Sequence, residues 1–204
     1  MRDRYDAGMH GDFEPGSEDR VLCNKLRVTD PDEMDEIELR LLQQLYEVVL
    51  IEALPDRRLS VADLKTWHRR WLGNVYAWAG EERSVNLSKA SFPFAAAAQV
   101  PRLLAAFERD CLVRFTPCHD LRDSGLAEAI ATTHVEFILI HPFREGNGRI
   151  SRLLADVMAV QARGRPLDYT AWDMDKQAYF AAIQAGMTGD YAPMRNLVDR
   201  ALIA

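Results

Sequence analysis

The chain has 204 residues, 48% hydrophobic and 27% charged, with a formal net charge of −6. That composition suits one globular domain with a sizeable core and excludes collagen-like or intrinsically disordered character. The acidic balance argues against direct binding to nucleic acid or anionic membrane surfaces, and the longest apolar runs, 103–107 and 137–140, fall far short of the roughly 18 residues that a membrane span needs.

Residues 1–20 are rich in Gly, Asp and Glu and have no hydrophobic period, so they are expected to form an N-terminal arm, laid over the domain or loosely ordered. Residues 21–204 are expected to form one domain. The opening Met1-Arg-Asp-Arg-Tyr-Asp lacks the apolar stretch of a secretory signal, which makes a cytoplasmic location the default. Cys23, Cys111 and Cys118 are odd in number and lack metal-ligand or redox spacing. They read as thiols of a reducing compartment, not as a disulfide framework.

Asp30-Pro-Asp-Glu33 predicts a helix start, with Asp30 as N-cap, Pro31 in the first turn and Glu33 reaching back. Ile37, Leu41, Leu45, Val48 and Val49 then form a buried stripe at helical spacing. Ser60-Val-Ala-Asp63 repeats the capping pattern before Leu64, Trp67, His68 and Trp71, where His68 is expected to be packed and hydrogen-bonded rather than a ligand. Short alternation over 83–94 predicts a hairpin. Helical periodicity returns over 100–113, over 126–140 up to His141, and over 149–162, which stops at Gly164-Arg-Pro166. Two short helices, 175–185 and 193–202, close the chain. The expectation is an all-α domain of seven or eight helices with one short β-hairpin.

The segment His141-Pro-Phe-Arg-Glu-Gly-Asn-Gly-Arg149 carries the chemistry. A helix ends at a histidine, Gly146 and Gly148 make a turn, and a new helix opens at Arg149. Unpaired N–H groups and the helix dipole make such a start an anion site. Glycines let the backbone approach oxygens and take left-handed torsions. Arg149 and Arg152 lie one turn apart and both reach toward one polyphosphate. Glu145 would be repelled by phosphate unless a cation lies between, which makes it a candidate Mg2+ ligand. His141 is the candidate general base, Asn147 the candidate amide donor to phosphate, and Phe143 the anchor of the loop in the core. Taken singly, these residues are a turn, a packed histidine and salt-bridging arginines. In nine contiguous positions they describe a phosphate site with a base.

His-Pro-Phe-Arg-Glu-Gly-Asn-Gly-Arg-Ile-Ser-Arg152 resembles the signature of Fic-domain proteins, His-x-Phe-x-(Asp/Glu)-Gly-Asn-Gly-Arg-x-x-Arg, with every specified position filled. The likeness extends to Val75-Tyr-Ala-Trp-Ala-Gly80, the hairpin over 83–94 and Gly189-Asp-Tyr-Ala-Pro193. The resemblance implies a Fic fold and an enzyme that transfers AMP from ATP to a Tyr, Thr or Ser hydroxyl of a target protein. It further implies His141 as base, Glu145 on Mg2+, and Asn147 with the Gly146 and Gly148 amides on the α-phosphate. Arg149 and Arg152 fall on the β- and γ-phosphates. The hairpin becomes a flap that aligns the target by strand addition over Leu87, Ser88, Lys89, Ala90 and Ser91. Phe180 aligns loosely with an aromatic residue near adenine and reads equally well as a core aromatic.

Relatives that phosphorylate their target carry Lys where this chain has Gly148, so the resemblance favours adenylylation. Many members of the family carry an inhibitory helix, Ser/Thr-x-x-x-Glu-Gly/Asn, whose nearest match here is Thr29 to Glu33, which lacks the final Gly or Asn, contains Pro31 and reads as an ordinary helix start. The resemblance then points to the toxin subgroup held by a separate small antitoxin protein, with a DNA gyrase or topoisomerase IV subunit as target. Transfer of another phosphate-linked group, and a non-catalytic binding module on the same fold, are the alternatives.

Overall fold

The structure is a computed structural model that describes residues 13–89 and 92–203. Of the expected arm, the first twelve residues lie outside the described residues. Phe13 bridges Leu22, and the Glu14 N–H donates to the Val21 carbonyl at 2.9 Å, so 13–24 fold back on themselves.

Helix α1 (Pro31–Tyr46) starts where capping chemistry dictates, with the Asp30 carboxylate accepting the N–H groups of Asp32 and Glu33 at 2.9 Å each. It runs into a π turn (Glu47–Glu52). Its buried face is not centred where the sequence suggests. Met34, Glu38, Leu45 and Val49 are buried, whereas Ile37, Leu41 and Val48 are half-buried. A glutamate therefore sits in the middle of the stripe.

Helix α2 (Val61–Leu72) opens on a reciprocal Ser60–Asp63 capping box and buries Leu64, Trp67, His68, Trp71 and Leu72. Strands β1 (Ser88–Lys89) and β2 (Phe92–Pro93) pair antiparallel, Ser88 opposite Pro93 and Lys89 opposite Phe92. Helix α3 (Val100–Phe107) continues through a π turn (Glu108–Leu112) into Val113–Phe115. Helices α4 (Asp123–Ile140), α5 (Asn147–Arg163), α6 (Thr170–Met174), α7 (Lys176–Ala185) and α8 (Ala192–Ile203) follow. Counting α3 with its continuation, the described residues form eight helices and one hairpin, the architecture expected.

Helix α4 is the axis of the domain. Leu126, Ala127, Ala129, Ile130, Ala131, Val135, Phe137, Ile138 and Ile140 are all buried on it, and α3, α5 and α8 pack around it. A Cβ at Gly186 would lie 2.2 Å from Val135 Cγ1, so only glycine lets the end of α7 press on this axis. Helix α5 begins at Asn147, two residues earlier than expected, which moves Gly148 into its first turn. Helix α6 was not expected; it is fixed by the buried Trp172, whose Nε1 donates to the Leu197 carbonyl at 3.2 Å. No helix among the described residues is long and apolar enough to cross a membrane. Among the described residues no cysteine is in a disulfide, and burial pushes the Cys111 and Cys118 thiols up to about 12.

Candidate functional site

The site lies where α4 ends and α5 begins. His141 is the C-cap of α4 at φ 52° and ψ 60°, with its N–H donated to the Phe137 carbonyl at 2.9 Å. A left-handed torsion in a residue with a Cβ costs on the order of 1 kcal/mol, so the chain must hold it there. Its Nδ1 lies 3.1 Å from the Ile138 carbonyl. A carbonyl only accepts, so Nδ1 carries the proton and the neutral ring presents Nε2 as its basic nitrogen. Burial drives the pKa down to about 3; the Ile138 carbonyl opposes this, and the Arg83 and Lys89 charges add to it.

Arg83 is the clamp. It is 5% exposed, and its guanidinium donates to four backbone carbonyls: His141 and Val85 at 2.6 Å each, Ile140 at 3.3 Å, and Ala95. Its own N–H donates to the Pro142 carbonyl at 2.8 Å. The carbonyl end of α4 thereby receives a positive charge, as its dipole favours. One residue thus joins the root of the hairpin to the backbone of the candidate base.

The loop is fixed from below by aromatic packing. Phe143 is buried and stacks on His68 with centroids 4.0 Å apart. The Gly80 N–H donates to His68 Nδ1 at 2.7 Å, which leaves Nε2 to donate to the Glu145 carbonyl at 3.1 Å. His68 is the packed, hydrogen-bonded histidine expected, and burial pushes it down to about 4. Gly146 has φ +80°, and a Cβ there would lie 2.6 Å from Trp71 Cζ3. Gly148 differs: its φ is not left-handed, and nothing lies within 4 Å of where a Cβ would be. Its missing side chain leaves open space in front of the helix start.

Asn147 corrects the sequence reading. Its side chain was expected to donate to a phosphate, but it is fully buried and committed to Phe143, Oδ1 accepting that residue's N–H and Nδ2 donating to its carbonyl, both at 2.8 Å. It braces the loop. Helix-start N–H groups, which have no acceptor one turn back, remain the donors there.

The structure brings Glu145, Arg149 and Arg152 together but gives each arginine an acidic partner. Arg149 Nη1 lies 2.7 Å from Glu38 Oε2 and Nη2 lies 3.3 Å from Glu145 Oε1; its Cζ sits 4.5 Å from the Trp71 ring centroid. Arg152 pairs with Asp173 at 2.6 Å and lies over the Tyr169 ring. Both arginines line one hollow of about 340 Å³ with Leu42, Tyr46, Asp156 and Tyr169. Burial pushes Asp156 up to about 6.

Glu145 is therefore tolerated without a cation, because Arg149 and the Gly146 N–H, at 2.9 Å, both face its Oε1. The described residues hold no cluster of three or more His, Cys, Asp or Glu that could chelate a metal. One carboxylate fits Mg2+ only in the way that ion commonly binds, together with phosphate oxygens and water.

In the expected flap, Ser88 and Lys89 are in strand, Leu87 is buried rather than presented, and Ala90 and Ser91 lie outside the described residues. Phe180 is 42% exposed, which rules out the core alternative, and Lys89 Nζ stands 5.4 Å from its ring centroid. The sequence reading missed Glu38, Arg83, Phe94 and Asp173. Only Glu38 left a signal there, as an acid four residues from Met34 and seven from Leu45 on a buried face.

Residues 58–159 match the model of the Fic/DOC family. A probable protein adenylyltransferase of Sinorhizobium fredii is 31% identical over 202 residues, covering 97% of this chain and 98% of that protein. The probable protein adenylyltransferase Fic of Escherichia coli is 25% identical over 204 residues, covering 98% and 96%. Among solved structures, the Bartonella tribocorum effector protein BepC with bound AMPPNP superposes with a TM-score of 0.73 at 23% identity, over 93% of this chain and 95% of that one. The N-terminal Fic domain of another Bartonella effector protein gives 0.77 at 20% identity, over 93% and 90%. The structural likenesses establish the fold.

Proposed function

Because the chain belongs to the Fic/DOC family, we propose that it is a protein adenylyltransferase, moving AMP from ATP to a Tyr, Thr or Ser hydroxyl of a target protein. One observation carries the reading: a neutral histidine with Nδ1 already protonated, His141, is held six residues before the open N-terminus of α5. The names of the relatives and the AMPPNP bound to BepC agree with it.

In this reading the helix-start amides at Asn147 and Gly148 cradle the α-phosphate, joined by the Gly146 N–H when it exchanges Glu145 Oε1 for a phosphate oxygen, and Arg149 and Arg152 take the β- and γ-phosphates. The target hydroxyl oxygen attacks the α-phosphorus as its proton passes to His141 Nε2; the new P–O bond forms as the bond to pyrophosphate breaks. Burial keeps His141 neutral, and the negative charge of bound nucleotide raises its basicity. Glu145 would hold Mg2+, which supplies charge neutralisation to the phosphates. Asn147 keeps the loop in shape. The outer edge of the hairpin receives the target segment by strand addition, and Phe180 lies beside the adenine.

The proposal extends to a cytoplasmic toxin restrained by a separate small protein, with a DNA gyrase or topoisomerase IV subunit as the first target to test. Incubation with α-labelled ATP, Mg2+ and a bacterial lysate should label a few proteins, and mass spectrometry should find an AMP adduct on a hydroxyl side chain. Equal labelling by His141→Ala defeats the reading. Unlabelled UTP, GTP and CDP-choline as competitors separate AMP transfer from transfer of another group, and a chain without transfer activity is the binding module.

A further inference from the structure

We infer that Glu38 is a positioning residue of the phosphate site, gripping Arg149 by one edge so that the other edge is presented to the terminal phosphates of the nucleotide. This rests on the proposed reading that Arg149 meets those phosphates.

Glu38 occupies the buried face of α1, where its side chain is 3% exposed. A carboxylate in such a place is strongly unfavourable unless every oxygen is engaged. Both are: Oε2 accepts Arg149 Nη1 at 2.7 Å and Oε1 accepts the Tyr76 hydroxyl at 2.8 Å. The backbone is fixed too, since Trp71 Nε1 donates to the Glu38 carbonyl at 2.9 Å. The same Trp71 ring carries the guanidinium on its face. The acid and the aromatic plane together leave Arg149 one orientation.

The two acids on Arg149 are unequal. Glu38 contacts it at 2.7 Å from inside the domain, while Glu145 contacts it at 3.3 Å from the loop. Guanidinium N–H groups are arranged as a fork that serves two acceptors at once. An incoming phosphate therefore exchanges with Glu145 at Nη2 and leaves the Glu38 contact on Nη1 in place. The benefit is preorganisation: the arginine does not have to be ordered when the nucleotide arrives.

A merely structural ion pair would stabilise the domain without distinguishing one nucleotide from another. A positioning role does distinguish them, because AMP lacks the phosphates that Arg149 meets. Calorimetry with ATP and AMP on the full chain, for wild type, Glu38→Gln, Tyr76→Phe, Arg149→Ala and the Glu38→Gln/Arg149→Ala double variant, separates the two. The expected result is an ATP Kd raised about 10-fold in Glu38→Gln, about 1.4 kcal/mol, with AMP changed by less than about 2-fold. In the Arg149→Ala background, Glu38→Gln should add nothing. Tyr76→Phe keeps the ion pair but drops one support, and should move the ATP-to-AMP ratio the same way by about 3-fold.

An unchanged ratio in Glu38→Gln, equal losses for both nucleotides, or additive losses in the double variant overturns the inference. If Glu38→Gln does not fold, Tyr76→Phe decides by the same ratio. A wild type that binds neither nucleotide defeats the transferase reading itself, an outcome distinct from these.

Discussion

The ring of Phe94 lies flat against the imidazole of His141, with centroids 3.7 Å apart and planes 16° from parallel. Phe94 follows β2 directly, and its N–H donates to the Leu87 carbonyl at 3.1 Å. The hairpin thus covers the candidate base with its own side chain. Phe94→Ala should lower the single-turnover transfer rate about 10-fold while nucleotide affinity stays within about 2-fold, since the lost contact is to the base and not to the phosphate cradle. His141→Ala should lower the rate by at least about 100-fold. Comparable losses of rate and affinity in Phe94→Ala would contradict this placement.

The two loop glycines should separate cleanly. Gly146→Ala forces a Cβ to 2.6 Å from Trp71 at a left-handed torsion, and is expected to cost about 2–4 kcal/mol in denaturant unfolding. Gly148→Ala meets nothing within 4 Å and should leave stability within about 1 kcal/mol. It should nevertheless weaken ATP binding, because the added methyl occupies the space in front of the helix start. Equal stability of the two variants would refute the contrast.

Arg83→Met should keep much of the buried volume but leave four carbonyls without their donor. A loss of about 3 kcal/mol is expected from those unsatisfied groups, measured by urea unfolding. Hydrogen exchange should rise at the hairpin and around residues 139–142 together. A rise confined to the hairpin would show that Arg83 does not join the two.

Acid should weaken the fold early. Burial holds His68 down to about 4 and both His134 and His141 to about 3, whereas the unfolded chain titrates near 6.5. Below 6.5 the unfolded state binds more protons, so stability is full above that pH and falls as pH drops toward these values. Asp156, raised to about 6, opposes with one proton between about 6 and 3.8. His119, raised beside Asp56, loses its contribution only as pH rises above 6.5. The net expectation is a loss of a few kcal/mol between pH 6.5 and 4.5, read from urea midpoints. A flat profile over that range would show that the three imidazoles are not buried neutral.

Local rules made most of the fold legible. Asp30 and the Ser60–Asp63 pair cap their helices as their spacing requires, and the wholly apolar end of α4 lies on the axis of the domain. The loop could be read as an anion site because a histidine, two glycines and two arginines fall within the twelve residues 141–152. What escaped the sequence depends on partners far along the chain. Glu38 is 111 residues from Arg149, and Arg83 is 58 from His141. In isolation Arg83 reads as an exposed charge, and Glu38 shows only as an acid at the spacing of a buried face, with no partner in view. Asn147 was misplaced for the opposite reason: its partner, Phe143, lies only four residues back, where the helix was expected to begin later than it does.

The long reach between Glu38 and Arg149 also bears on how the molecule comes into existence. Helix α1 leaves the ribosome well before α5, yet the guanidinium is seated only when both have docked through Trp71 and Tyr76. A nascent chain, or one whose first helix has frayed or been clipped by a protease, keeps the motif in its sequence but lacks its wedge. If Glu38 positions Arg149 as inferred, full grip on the terminal phosphates is then a late event of folding, reached only after the two helices have met.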